Sequence, residues 1–270
     1  MPTLSAADPT PWAGGALILV RHGRPQSPFP GDSDSGPTSG SAPDSGPAPD
    51  PALGAVGRYE ASRIGDRLRA LVGPVDFVEV SPALRTRQTA ARLGFGPGTS
   101  RAELSPRAGR VQEPVPGRLT GQGSPAAREA AADPWGWRPE GGESLRDIRR
   151  RVREPLTQWR SVLSRPGGCG VLVSHSEVIF VLRTLLEQQW AAHPLVQGRP
   201  GRPVHHPATG SALVYLQTPP SPAAPAGVLW RSCLTGLLSS PVPSLRCLDW
   251  VRMPAGPREH VEPGSPRPAG

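Results

Sequence analysis

Lysine is absent from this chain. All thirty basic residues are arginine, against 22 acidic ones, giving a formal charge of +8. We read the missing lysine as a compositional bias and not as the mark of a binding surface. A basic balance suits an anionic ligand or, through backbone charge, a nucleic acid. The sequence has no zinc-finger spacing, no dense basic stripe interleaved with aromatics and no recognition-helix pattern. No nucleic-acid partner is therefore expected. Cysteine is scarce as well: Cys169, Cys233 and Cys247 are scattered without a paired spacing. That excludes a disulfide framework and a cysteine-based metal site, and it fits free thiols in a reducing compartment. Long apolar runs are also missing. The run Ala16–Val20 is too short for a membrane span or a leader and ends at once on Arg21. The expectation is a soluble, cytoplasmic protein with no membrane partner.

Apolar residues make up only 36% of the chain, while there are 37 prolines and 32 glycines. These cluster, so the folded part is shorter than the chain. Residues 1–14 read as a loose lead-in and 254–270 as a flexible tail. Residues 25–52 form a Pro/Gly/Ser/Asp tract with almost nothing apolar to bury, which reads as a disordered insertion. It leaves directly from the Arg21-His22-Gly23 segment, so a lid is one reading and a solvated insertion the favoured one. One domain is expected over 15–253.

Within that domain, strand-like and helix-like segments alternate. Ala16–Val20, Asp76–Val80 and Gly170–Ser174 are short apolar runs suited to strands buried on both faces, with Leu213–Leu216 and Val228–Arg231 as further strands. Helical spacing runs over Leu53–Val72. Ser81-Pro82 predicts a capped helix start with proline in its first position, running to about Leu93. Ser144 and Asp147 form a capping box ahead of an apolar face made by Leu145, Ile148, Val152, Leu156, Trp159 and Val162, with Pro155 expected to kink the helix. A last helix is expected from Ser176 to about Gln189. This alternation predicts an α/β domain with a largely parallel sheet.

In such sheets ligands sit at the carboxyl ends of the strands. Three predicted strands end in reactive side chains: Arg21-His22-Gly23, Ser81-Pro82 with Arg85 one turn on, and Ser174-His175-Ser176. If the strands are neighbours, two histidines and two arginines meet. Neutral imidazole is a competent nucleophile near neutral pH. Guanidinium forks match phosphoryl oxygens and keep their charge throughout a transfer. A leaving alkoxide then needs a carboxylic acid to protonate it.

Leu17–Gly23, the run Ser81-Pro82-Ala83-Leu84-Arg85-Thr86-Arg87-Gln88-Thr89-Ala90 and Val171–His175 resemble, in order, the signature segments of the histidine phosphatase superfamily. The resemblance covers roughly residues 16–216. It implies a three-layer α/β/α sandwich of the phosphoglycerate-mutase-like fold and a phosphatase that works without a metal or organic cofactor. By resemblance His22 is the nucleophile, Arg21, Arg85 and His175 hold the phosphoryl group, and Glu113 in Val111-Gln112-Glu113-Pro114 is the acid, with Glu103 as runner-up. Glu143 matches a family segment read as mainly structural. The partner implied is a small phosphorylated substrate.

Other readings stay open. His22 and His175 can be ordinary strand-end histidines, and Glu113 a solvated loop carboxylate. His205-His206 reads as loop, not a metal pair. Arg149-Arg150-Arg151 and Arg153 read as a solvated helix face, and Trp135 and Trp137 as pocket lining or core. The family's first motif continues with an acidic residue and later an Asn, where this chain has Arg24-Pro25-Gln26-Ser27-Pro28. Its third continues with glycine, where this chain has Ser176-Glu177. A mutase, or a non-catalytic phosphate binder, are the rival functions.

Overall fold

Strand β1 (Gly15–Arg21) is buried along six of its seven residues because it lies between two helical layers. Its side chains alternate between two cores, as the period of two requires. Ala16, Ile18 and Val20 join one core with Ile64, Leu68, Ala90 and Leu93. Leu17 and Leu19 join the other, with Ile148, Val152, Trp159, Val178 and Val181. The first core belongs to α1 (Ala55–Leu71) and α2 (Leu84–Leu93), the second to α3 (Leu145–Leu163) and α4 (Ser176–Leu186). The result is the expected three-layer α/β/α sandwich. Each fully buried leucine or isoleucine in these layers contributes roughly 1.5–3 kcal/mol.

These elements are seen in a computed structural model. It describes residues 14–26, 50–105, 129, 132–133, 135–138, 141–187, 208–222, 227–235 and 251–253. The lead-in over 1–13, the tail over 254–270 and most of the 25–52 tract lie outside the described residues. The remaining described strands are β2 (Phe77–Val80), β3 (Thr99–Ser100), β4 (Cys169–Ser174), β5 (Ser211–Gln217), β6 (Leu229–Thr235) and β7 (Val251–Arg252), in the order β3-β2-β4-β1-β5-β6-β7. From β3 to β1 every pairing is parallel. From β1 through β5 and β6 to β7 every pairing is antiparallel. The parallel half is the one whose carboxyl ends carry the site. The apolar runs mark β5 and β6 as strands, as expected, but an apolar run does not record that they run antiparallel.

The capping box of α3 forms as expected: Ser144 Oγ accepts from the Asp147 backbone at 3.3 Å, and the Asp147 carboxylate accepts from the Ser144 backbone at 2.9 Å. That helix runs its full nineteen residues with Pro155 inside it. The expected start of α2 is corrected. Ser81 is not its cap and Pro82 is not its first residue; the helix begins at Leu84 behind Ala83. The Ser81 backbone instead extends the sheet, donating to Val173 O at 3.0 Å, and its hydroxyl is engaged elsewhere. The far end of α2 closes on Gly94 in the left-handed conformation (φ 74°), which a residue with a Cβ adopts only with strain.

Candidate active site

The register of β1 on β4 sets Arg21 beside Ser174, so the residues that follow each, His22 and His175, leave the sheet together. His22 is held on both sides: its backbone N–H donates to Ser174 O and its carbonyl accepts from Gly210 N, both at 3.1 Å. The next residue must be small. A Cβ on Gly23 would lie 2.3 Å from the carbonyl oxygen of Gly57 in the first turn of α1. Gly23 N donates to Thr89 Oγ1 at 3.1 Å, and Arg24 N to the buried Glu60 carboxylate at 2.9 Å. The turn after the strand is thereby tied to α2 and α1.

The two imidazoles lie with ring centroids 5.1 Å apart and planes at 64°. His22 Nδ1 is 2.8 Å from the Gly23 carbonyl, which only accepts, so Nδ1 carries the proton and Nε2 presents its lone pair. Arg85 Nε donates toward that lone pair at 3.4 Å. Arg85 Nη2 lies 3.2 Å from His175 Nδ1, which must accept, leaving His175 Nε2–H to donate to Ser81 Oγ at 2.8 Å. The His22 pKa falls from 6.5 to about 3, first through burial, then through the Arg85 charge and more weakly that of Arg21, against the Gly23 carbonyl. Burial holds His175 well below the ordinary value too, helped by His22, Arg85, Arg21 and Arg151. Both rings are neutral at neutral pH. The site is therefore an unprotonated imidazole nitrogen set among fixed positive charges.

Arg85, on the first turn of α2, is the centre of the cluster. Its third nitrogen, Nη1, reaches Asp50 Oδ1 at 3.3 Å, and Asp50 Oδ2 accepts from Leu84 N at 2.8 Å. Asp50 carries no motif and sits in the low-complexity tract, so sequence reasoning passed over it.

Of the predicted site residues, Arg21, His22, Arg85 and His175 come together. Glu113 and His205-His206 lie outside the described residues. Glu103 lies in a 3₁₀ turn (Ala102–Leu104), and its charge acts on Arg101. Arg151 is a correction, because it does not belong to a solvated face. It grips Glu143 with Nε and Nη2 at 3.1 and 2.7 Å, and donates to the carbonyls of Glu103 and, at 2.7 Å, Ser105. Ser174 Oγ takes the carbonyl between them, that of Leu104, at 2.5 Å. Three consecutive carbonyls are thus anchored where the chain leaves toward Glu113. Arg150 and Arg153 are exposed, as expected. Trp135 belongs to the core, its ring 5.5 Å from Phe180, and Trp137 is half-buried. The unusual Ser176-Glu177 pair bonds to itself, Ser176 Oγ donating to Glu177 Oε1 at 2.8 Å. Among the described residues no three His, Cys, Asp or Glu side chains gather as a metal cradle, and no helix is long and apolar enough to cross a membrane.

Comparison with known proteins agrees with this layout. The family model of the histidine phosphatase superfamily (branch 1) matches residues 17–199, more than half of the chain. No curated protein sequence matches the chain. Similar solved structures include one described as mycobacterial hydrolase 1, with 22% identity and a TM-score of 0.56 over 75% of this chain and 91% of that one. A mycobacterial glucosyl-3-phosphoglycerate phosphatase in complex with VO3 shares 22% identity, with a TM-score of 0.53 over 74% and 92%. Mycobacterial hydrolase 2 shares 18%, with a TM-score of 0.54 over 88% and 89%. These structures share the fold. With the match to the family model over the segments that carry His22, Arg85 and His175, the chain belongs to the histidine phosphatase superfamily, branch 1.

Proposed function

We propose that this protein is a phosphatase that hydrolyses a phosphomonoester of a small metabolite through a phosphohistidine on His22. The Nε2 lone pair of His22 attacks phosphorus as the bond to the alcohol oxygen breaks. Glu113 gives its proton to the departing alkoxide. Water then attacks the phosphohistidine and loses a proton to the Glu113 carboxylate, which releases phosphate and restores the free imidazole. Arg21 and Arg85 hold the phosphoryl oxygens while charge shifts between them, and His175 joins them as a donor once the incoming phosphoryl group brings a proton onto its Nδ1.

The observation that carries this reading is the state of His22. Its Nδ1 is committed to the Gly23 carbonyl, its Nε2 is unprotonated, and the Arg85 fork stands 3.4 Å from that nitrogen. A nucleophile kept neutral beside a cation that binds phosphoryl oxygens is what transfer to nitrogen requires. The test is release of phosphate from a broad panel of phosphomonoesters by the wild type and by His22→Ala. Turnover that vanishes in the variant supports the reading. A folded wild type that releases no phosphate from any ester, or a variant as active as wild type, overturns it.

A further inference from the structure

We propose that Asp50 is the positioning residue for Arg85, clamping its guanidinium so that two nitrogens face the histidine pair; this rests on the reading of the pocket as a phosphoryl site. A single carboxylate makes both contacts needed. Oδ2 accepts from the backbone of Leu84 at 2.8 Å, and Oδ1 meets Nη1 of the adjacent Arg85 at 3.3 Å. Helix α2 has no side-chain cap of its own, because Ala83 stands at its N-cap. Asp50 supplies the missing acceptor from 34 residues away. The same group fixes the direction of one guanidinium N–H. The fork is planar and rigid, so fixing Nη1 sets where Nε and Nη2 point. Those two nitrogens are the ones near His22 Nε2 and His175 Nδ1, at 3.4 and 3.2 Å.

The backbone that carries Asp50 is itself anchored. Gln26 N donates to Ala52 O at 2.8 Å, Pro25 and Leu53 form an antiparallel bridge, and Leu53 N donates to the Gln88 side chain at 2.7 Å. The return end of the Pro/Gly tract is therefore fastened both to the exit of β1 and to the helix that bears Arg85. A carboxylate near an anion pocket, acting through its charge alone, opposes the anion. Its presence on the pocket's principal arginine is understandable if orienting that arginine outweighs the repulsion.

The two roles predict opposite signs, which makes a direct test. Asp50→Asn keeps an oxygen for Leu84 N and removes the charge that holds Arg85. Orthovanadate binding is measured by titration calorimetry on the full chain, with melting temperature as the control for folding. Positioning predicts that Asp50→Asn raises the vanadate dissociation constant about tenfold. It also predicts that the same change made in an Arg85→Lys background adds little further loss. Unchanged or tighter vanadate binding in Asp50→Asn overturns the proposal while leaving the phosphoryl reading in place. A wild type that binds no vanadate overturns that reading instead. If Asp50→Asn does not fold, Asp50→Ser, which also offers Leu84 N an oxygen, is read in the same way.

Discussion

His22 and His175 approach to a ring separation of 5.1 Å through a single guanidinium, that of Arg85, which addresses one nitrogen of each. Each ring has a further anchor, the Gly23 carbonyl for His22 and the Ser81 hydroxyl for His175. The tautomer of both is set by groups that come from different parts of the chain.

The first concerns pH. His22 is held near pKa 3 and His175 well below 6.5, whereas both titrate at the ordinary value once unfolded. Between those limits the unfolded chain binds more protons than the folded one. Stability therefore rises with pH through this window and is lost as pH falls from about 6.5 toward about 3. Urea midpoints measured from about pH 7 down to about pH 4 should fall, and His22→Gln should flatten the slope. Equal slopes in the two proteins would contradict the assigned burial.

Ser81→Ala removes the acceptor for a buried N–H on His175. An unsatisfied buried donor costs roughly 1–3 kcal/mol. The expected outcome is that loss by chemical denaturation, together with a fall in kcat/KM, because the ring is free to turn from Arg85. Full stability and full activity would show that the contact is idle.

Arg151→Ala takes the guanidinium away from the largely buried Glu143 carboxylate and removes the donors to the carbonyls of Glu103 and Ser105. The expected loss is about 2–3 kcal/mol, below that of a fully buried pair because the Arg151 side chain keeps 17% of its surface exposed. Replacing Arg151 with Met and Glu143 with Leu together should cost less than Arg151→Ala alone. Denaturation curves of the two variants decide between these outcomes.

Gly23→Ala places a methyl group 2.3 Å from a backbone oxygen of α1. Neither backbone yields cheaply, so a destabilisation of about 1–3 kcal/mol is expected, with activity lost because the turn after His22 moves. A variant with wild-type melting and turnover would mean that the turn relaxes without cost.

Much of this was legible in the sequence, where local pattern decides structure. β1 announced itself because a strand buried on both faces is apolar throughout, and the α3 capping box because both of its partners lie within one turn. Ser81 misled for a definable reason: its backbone still pairs in the sheet with Val173, so the helix starts only at Leu84, and its hydroxyl accepts from His175 at 2.8 Å and only at 3.4 Å from Ala83 N. Arg151 was hidden by its two arginine neighbours, since the run looks solvated until Glu143 and the 103–105 carbonyls are placed beside it. Asp50 was hidden by composition. Its worth lies in a contact with Arg85 across 35 residues, which no local period records.

The central claim is that His22 Nε2 becomes bonded to phosphorus. Rapid quenching of the protein during turnover of an active phosphomonoester, followed by intact and peptide mass analysis, measures this directly. One added phosphoryl group is expected, located on His22, lost in acid and absent from His22→Ala. A phosphoryl group on another side chain, or steady turnover by His22→Ala, would contradict it.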